Sequence, residues 1–348
     1  MTFTPAVVTF ADEDEEITFK DENLEIIIRD AIDKPEDPIY QSDVEGMTKL
    51  DASSWNIEYL EGIEELTALK DLNLAGNKIK DISPLEDLTK LVVLRLNDNQ
   101  IEDISYLEEL TKLESLFLSD NSINDVGALS DLTNLKVLQL SNNEVQYINS
   151  LKDLTKLTQL HLDHNKINEL EGLKDLTELE VVRLNANLIT DINPLQNLTE
   201  LKVLRLYGNP LSHLSPLVGL TNLEVLLLNH AQISDITPLA GLTNLKVLYL
   251  EENNISDISA LSNLNELKQL TLAENRVDDF SATESYYHNL VHRDFNLDGE
   301  SEESTSEKAV ETEDEESNMV IYILIGFVIL QTFALFYVFS NMKNSRRG

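Results

Sequence analysis

Residues 245–253 read Leu-Lys-Val-Leu-Tyr-Leu-Glu-Glu-Asn, and residues 69–77 read Leu-Lys-Asp-Leu-Asn-Leu-Ala-Gly-Asn, so the two stretches share three leucines followed by an asparagine. This pattern returns every 22 residues and places asparagine in one register at Asn77, Asn99, Asn121, Asn143, Asn165, Asn187, Asn209, Asn253 and Asn275. Trp55 and Ala231 occupy the corresponding position in two further units. The chain therefore contains eleven repeats between about Lys49 and Ser281.

Alternating leucines at the start of each repeat predict a short β-strand with one apolar side. No repeat can bury that side alone, so the repeats are expected to stack and to pair their strands in one sheet. An asparagine amide both donates and accepts hydrogen bonds, so a stacked column satisfies backbone groups in the turn after each strand. At Ala231 the column is broken, and the loss is about 1–3 kcal/mol if the turn stays dry, unless Asn229, His230 or water substitutes.

The pattern L-x-x-L-x-L-x-x-N is the signature of leucine-rich repeats. The segment I-x-D-I-x-P-L follows it at residues 79–85 and 233–239, and together with the 22-residue period it resembles the internalin-type repeats of Gram-positive surface proteins. The resemblance covers about residues 16–281. It implies an α/β fold, a leucine-rich-repeat solenoid with a curved parallel sheet on the concave face and 3₁₀ turns on the convex face. No immunoglobulin-like module, wall-binding repeat or L-P-x-T-G sequence follows, so covalent wall attachment is not implied.

The two ends of the array are predicted to carry caps, because an open solenoid end exposes core leucines. Within residues 16–48, Ile26–Ile32 has the apolar spacing of a short helix that ends near Pro35. This stretch resembles the helical N-terminal cap of internalin-like proteins, with Trp55 expected to seal the first coil. Residues 282–299 are predicted to form a C-terminal cap.

The C-terminal region predicts a membrane anchor. Residues 319–340 are uncharged and long enough to span the roughly 30 Å hydrocarbon core as a helix. Residues 300–318 are acidic and are predicted to form a disordered stalk, whereas residues 341–348 are basic. The positive-inside bias therefore predicts a single-pass cell-membrane protein with a cytoplasmic C-terminus and extracellular repeats. Residues 1–15 resemble the back half of an export signal, which favours an upstream start or cleavage within this segment.

Side chains between the core leucines are predicted to face the concave surface in columns, which makes that surface the candidate binding site. Arginine and tyrosine dominate interface hot spots, and both occur there in a chain of formal charge -37. The candidate ligand-binding residues are Arg95, Phe117, His161, Arg183, Arg205, Tyr207, Leu227 and Tyr249. The main cluster is expected to consist of the last five of these, Arg183, Arg205, Tyr207, Leu227 and Tyr249. The alternative is that the arginines only neutralise acids such as Asp163 and Glu251.

Composition and motifs exclude several other functions. A charge of -37 does not suit nucleic acid, because duplex binding needs basic residues against phosphates. The absence of cysteine excludes a thiol nucleophile, and the sequence has no catalytic or phosphate-binding motif, so no enzyme activity and no cofactor are predicted. Asp294, Asn296 and Asp298 resemble the first half of a calcium loop, but Thr305 replaces the glutamate at its twelfth position. A polar turn that closes the C-terminal cap is the favoured alternative.

These features predict a monomeric, membrane-anchored solenoid that binds a protein or glycan ligand through its concave face, in adhesion or recognition. A related repeat class serves as a cytosolic phosphatase regulator. The alternative is therefore a tail-anchored cytosolic scaffold or a phosphatase-type regulatory subunit. A surface hydrolase is a third hypothesis, which no motif supports.

Overall fold

A computed structural model of the chain describes residues 14–297, which form a stack of repeats. The predictions for the export-signal-like segment up to residue 13, the stalk at 300–318, the membrane span at 319–340 and the tail at 341–348 lie outside the described residues. Among residues 14–297, no helix combines the length and apolarity that a membrane crossing requires.

A parallel sheet of twelve strands runs through the stack, and consecutive strands are neighbours. Each strand pairs with the equivalent residues of the next repeat, so Val203 lies opposite both Val181 and Val225. The strands are β3 Lys49–Asp51, β4 Asp71–Asn73, β5 Val93–Arg95, β6 Ser115–Phe117, β7 Val137–Gln139, β8 Gln159–His161, β9 Val181–Arg183, β10 Val203–Arg205, β11 Val225–Leu227, β12 Val247–Tyr249, β13 Gln269–Thr271 and β14 His292–Arg293. The predicted parallel sheet is confirmed.

Short 3₁₀ turns return the chain between strands, as the resemblance implied. They span Ile63–Glu65, Ser83–Leu85, Ser105–Leu107, Gly127–Leu129, Asn149–Asp153, Glu171–Leu173, Asn193–Leu195, Ser215–Leu217, Thr237–Gly241, Ser259–Leu261, Ser281–Thr283 and Tyr287–Asn289. Leucines and isoleucines from the strands and from these turns form one continuous buried core.

The aspartate of the I-x-D-I motif starts these turns. Oδ1 of Asp81 accepts the N–H of Ser83 at 2.8 Å. The same bond recurs from Asp103, Asp125, Asp191, Asp235, Asp257 and Asp279. The backbone bond to Ser105 holds the pKa of Asp103 below its usual value, because it stabilises the charged form. Part of the acidity of this chain therefore has a structural role.

The asparagine column ties each repeat to the one before it. Oδ1 of Asn187 accepts the N–H of Ile167 at 3.0 Å, while its Nδ2 donates to the carbonyls of Leu162, Leu184 and Asn185 at 2.9, 3.1 and 3.1 Å. Asn187 is buried. One side-chain amide thus forms hydrogen bonds with backbone groups of two repeats that would otherwise need water, as the sequence analysis predicted.

At Ala231 a backbone carbonyl replaces the acceptor oxygen of the missing amide. Leu211 N–H donates to the Ala231 carbonyl at 3.2 Å, and the N–H of Ala231 donates to Oδ1 of Asn253 at 3.1 Å. His230 and Gln232 both adopt left-handed conformations, with φ of 51° and 60°. The stack therefore continues through Ala231 by a change in turn geometry, and not through the side chains that the sequence analysis proposed.

The first repeat uses the same turn. Trp55 N–H donates to Oδ1 of Asn77 at 3.0 Å, and Ser54 and Asn56 both have left-handed φ values. The indole itself is exposed. The expectation that Trp55 seals the first coil is therefore wrong, because its backbone and not its ring makes the inter-repeat contact.

A short segment packs before the first repeat. It contains β1 Glu16–Ile17 and β2 Ile39–Tyr40, which pair antiparallel, and the helices α1 Glu22–Ala31 and α2 Gln41–Val44. Asp21 lies at the junction with the array. One carboxylate oxygen accepts the N–H groups at the start of α1, and the other accepts those of Glu58 and Tyr59. Such a cap stabilises a helix start and here also fixes α1 to the array.

Beyond the last leucine-rich unit, β14 adds a strand that the sequence analysis did not place. It lacks alternating leucines, so no periodic pattern marks it. Both carboxylate oxygens of Asp294 accept the N–H of Leu272, at 2.7 and 3.0 Å, and one also accepts that of Ala273 at 2.8 Å. The rings of Phe280 and Phe295 stack with centroids 4.8 Å apart.

We predict that Asn187→Ala lowers the free energy of unfolding by about 1–3 kcal/mol, because the buried N–H of Ile167 loses its acceptor. Asn197→Ala is the matched control, since Asn197 is exposed, and we expect a change within about 0.5 kcal/mol. Urea unfolding of both variants measures the difference. Equal stability of the two variants would contradict the role assigned to the column.

Candidate ligand-binding face

The last residue of each strand from β5 to β13 belongs to one continuous row on the solvent side of the sheet, which we call the sheet face. Strand pairing aligns Arg95 with Phe117, and the same register continues along the sheet through Gln139, His161, Arg183, Arg205, Leu227, Tyr249 and Thr271. Seven of the eight predicted site residues therefore lie in a single row. Tyr207 lies two residues beyond Arg205, in the neighbouring row.

Exposure differs along this row. Arg95, Phe117, His161, Arg183 and Tyr249 are partly exposed. Two other candidates present little surface: Arg205 is 5% exposed and Leu227 is 8% exposed. The row beside them in these repeats is a run of buried valines, namely Val181, Val203, Val225 and Val247. Close packing of β9–β12 thus covers Arg205 and Leu227, two members of the predicted main cluster. The spacing of residues in the sequence does not show that they are covered.

Arg95 joins two neighbouring strands. Its Nη1 lies 2.7 Å from Oδ1 of Asp71, and its guanidinium lies 5.4 Å from the centroid of the Phe117 ring. A planar cation held between a carboxylate and an aromatic face is oriented rather than free to rotate. Arg95 and Phe117 thus form a preorganised amphipathic pair on the sheet face.

Arg183 is paired with an acid of the preceding repeat. Its Nε lies 3.2 Å from Oδ2 of Asp163. Asp163 is buried, and its Oδ1 accepts the N–H of Asn185 at 3.0 Å. For Arg183, this pair favours the alternative given in the sequence analysis, that the arginine neutralises Asp163. The Asp71 partner of Arg95 was not anticipated.

His161 lies between the Gln139 and Arg183 strands in the same row. Burial lowers the pKa of His161, and the positive charges of Arg183 and Arg205 lower it further, to about 3. His161 is partly exposed. Burial and the arginine charges nevertheless both disfavour its protonated form, so both lower its pKa. His161 is therefore a neutral hydrogen-bonding group at physiological pH.

The C-terminal end of the sheet face holds two partly buried acids, Glu251 and Asp294, that were not candidate binding residues. Burial raises the pKa of Glu251, which also accepts a hydrogen bond from Nδ2 of Asn229 at 2.6 Å. Burial likewise raises the pKa of Asp294. The Tyr249 hydroxyl donates to Gln269, and its ring centroid lies 6.0 Å from that of His292. Only tertiary packing identifies this polar cluster, because its members come from three separate repeats and from the segment that contains β14.

The calcium candidates are occupied in other ways. Asp294 accepts the backbone N–H groups of Leu272 and Ala273, which directly follow β13, and Oδ1 of Asn296 accepts the Tyr287 hydroxyl at 3.0 Å. Asp298 lies outside the described residues. Within residues 14–297, no group of three or more histidine or acidic side chains is arranged to hold a metal ion. These contacts favour the polar-turn alternative for this segment.

The lowered pKa of His161 predicts a pH dependence of stability. Between its folded value of about 3 and its ordinary value of 6.5, only the unfolded chain binds the proton, so stability falls as the pH falls through this window. Between pH 7.5 and 5 we expect the wild type to lose about 2 kcal/mol more than His161→Gln. His213→Gln, at an exposed position, should behave like the wild type. Urea unfolding at both pH values checks this, and parallel losses in all three proteins would contradict it.

Comparisons with known proteins agree with this geometry. A family model described as "Leucine Rich repeats (2 copies)" matches residues 67–110, 89–132, 155–197, 199–241 and 243–284, and a model described as "Leucine rich repeat" matches residues 111–167. No curated protein sequence matches the chain significantly.

Solved structures give a more specific result. An internalin of Listeria monocytogenes (inlF) is 33% identical with a TM-score of 0.68, and the match covers 80% of this chain and 96% of that one. Internalin C2 of the same organism is 34% identical with a TM-score of 0.60, covering 62% and 99%. A plant peptide hormone receptor, RGFR1 in complex with RGF2, shares the fold at 24% identity and a TM-score of 0.61, covering 71% and 42%. The chain therefore belongs to the leucine-rich-repeat family and is an internalin-like member of it.

Proposed function

We propose that this protein is displayed on a cell surface by a membrane anchor and binds a protein or glycan ligand through its sheet face, the predicted concave face. The observation that carries the proposal is the single row of aligned side chains from Arg95 to Tyr249. Strands about 4.8 Å apart make such a row a long, regularly spaced contact surface. A surface of this kind suits recognition of a large ligand.

The chemistry of the reachable side chains supports binding rather than catalysis. Arg95 and Phe117 form a preorganised pair, and aromatic and arginine side chains supply much of the energy of protein interfaces. Buried Asp163 and partly buried Asp294 accept backbone N–H groups, so these carboxylates hold the repeat structure. We infer from these assignments that the protein is not an enzyme.

The fold is used for ligand binding elsewhere. The plant receptor named above was solved in complex with RGF2. That similarity concerns the fold alone, but it shows that a stack of this kind can present a site for a protein ligand. We extend this use to the present chain as part of the proposal.

We also propose that residues 16–48 act as the N-terminal cap of the array. Leu24, Ile27 and Ile28 of α1 are buried in the same core as the repeats. Lys20 N–H donates to the Glu61 carbonyl at 3.2 Å, and Nε2 of Gln41 donates to that of Glu65 at 2.9 Å. The segment thereby covers apolar surface that the first repeat leaves open.

The alternative is a tail-anchored cytosolic scaffold or phosphatase-type regulatory subunit, which would bind its partner through the same sheet face. The location of the array separates the two proposals. Protease treatment of intact cells releases the repeats if they are extracellular and leaves them intact if they are cytosolic.

The binding role is tested with the triple variant Arg95→Ser, Phe117→Ser, Tyr249→Ser. Ligands of the wild type are first identified on screening arrays of surface proteins and glycans. We expect the triple variant to bind these ligands about tenfold or more weakly, because hot-spot side chains are removed. The matched control is Tyr147→Ser, Lys152→Ser, Val218→Ser, three exposed positions at or near the 3₁₀ turns. Circular dichroism checks that both variants fold. Binding that is unchanged by the first variant, or weakened equally by the control, would contradict the proposal.

A further inference from the structure

Two consecutive repeats lack polar side chains in the turn beside the sheet face. In each repeat this turn includes the residue before the column asparagine and the residue after it. Where asparagine occupies the column, at least one of the two is polar or charged in every repeat except those of Asn187 and Asn209. Those two repeats carry Ala186 with Leu188, and Gly208 with Pro210. The exception is therefore confined to one place in the stack.

The exceptional residues are close together in the structure. The N–H of Ala186 donates to the Tyr207 carbonyl at 2.7 Å, and an added Cβ on Gly208 would lie 3.6 Å from Cα of Ala186. Leu188 and Pro210 occupy equivalent positions one repeat apart. We call this set the apolar rim patch, and its members are Ala186, Leu188, Tyr207, Gly208 and Pro210.

Two members of the patch are exposed and the other three are partly exposed, although the backbone of the patch is hydrogen-bonded. Leu188 is 57% exposed and Tyr207 is 39% exposed. The N–H of Leu188 donates to the Ile167 carbonyl at 2.8 Å, and the N–H of Tyr207 donates to Oδ1 of Asn185 at 3.0 Å. The Tyr207 ring also meets His230 edge to face, with centroids 5.1 Å apart. Single exposed apolar residues are ordinary, but a contiguous rigid group with polar turns on both sides is typical of an interaction site.

Charge differs between the two sides of the patch. Toward the N-terminus, Lys166 pairs with Glu144 at 3.0 Å, which leaves that side balanced. Toward the C-terminus lie Glu251 and Glu252, and Glu252 is an exposed carboxylate whose neighbour at 2.7 Å is Nδ1 of His230. Glu252 lies two repeats from Gly208 of the patch in the same row, a separation of about 10 Å at the usual strand spacing. A partner that fits this arrangement carries positive charge on one side of an apolar group.

We propose that the apolar rim patch docks a protein segment that presents a large apolar side chain, with a lysine or arginine about 10 Å away that reaches Glu252. The net charge of -37 favours such a basic partner over an acidic one. This inference rests on the proposed function, because it requires a protein ligand. It adds the chemical class of that ligand and extends the contact from the sheet face to the adjoining turns.

The test selects displayed random 12-residue peptides on the full-length protein and measures the affinities of the synthetic peptides. We expect the selected peptides to combine an apolar anchor with a basic residue, and Leu188→Glu to weaken them by about tenfold or more. Glu252→Gln should weaken them less and reduce their dependence on salt. Val218→Glu is the matched control, because Val218 is also 57% exposed but follows a 3₁₀ turn, and it should leave binding unchanged.

Three outcomes overturn the inference: no peptide is enriched, the enriched peptides lack basic residues, or they bind Leu188→Glu as tightly as they bind the wild type. Peptides that bind the Leu188→Glu variant with wild-type affinity but bind the Phe117→Ser variant more weakly would contradict this inference. That result would still agree with the proposed function. Peptides whose affinity is changed by neither Leu188→Glu nor Phe117→Ser would contradict both this inference and the proposed function.

Discussion

Each repeat of this protein leaves backbone groups that only the next repeat can satisfy, and an asparagine side chain meets that need in most of the turns. The amide of Asn187, for example, bonds to Ile167 and Leu162 of the preceding repeat and to Leu184 of its own. These short contacts fix the spacing of the repeats. The regular rows of side chains on the sheet face follow from that spacing, because equivalent residues must then lie side by side.

Periodicity made most of this architecture predictable from sequence. Leucines at fixed positions predicted the strands and their register, and the asparagine column predicted the turns. Two features depended on contacts that no local pattern encodes. The strand β14 has no leucine alternation, and its place is secured by Asp294. The turn at Ala231 keeps the stack with an added left-handed residue, Gln232, at a position that is not left-handed where asparagine occupies the column.

The candidate site was predictable by position but not by accessibility. The row was correctly aligned, yet Arg205 and Leu227 are covered by their neighbours. Arg95 and Arg183 each lie beside an aspartate of the preceding repeat, because residues 22 apart become neighbours across the sheet. The large negative charge is therefore not spread uniformly. Many aspartates start 3₁₀ turns, and others balance the arginines, which leaves the apolar and aromatic side chains as the more distinctive surface.

The central claim is that residues 22 apart lie directly side by side on the sheet face. Because the chain contains no cysteine, a pair of introduced thiols reports this directly. Gln139→Cys with His161→Cys places the two thiols on paired residues, within the Cα separation of about 4.4–6.8 Å that a disulfide tolerates. Gln139→Cys with Arg183→Cys places them two strands apart, at about 10 Å. We expect rapid oxidation to an intramolecular disulfide in the first pair and none in the second; the reverse result, or no disulfide in either, would contradict the side-by-side placement.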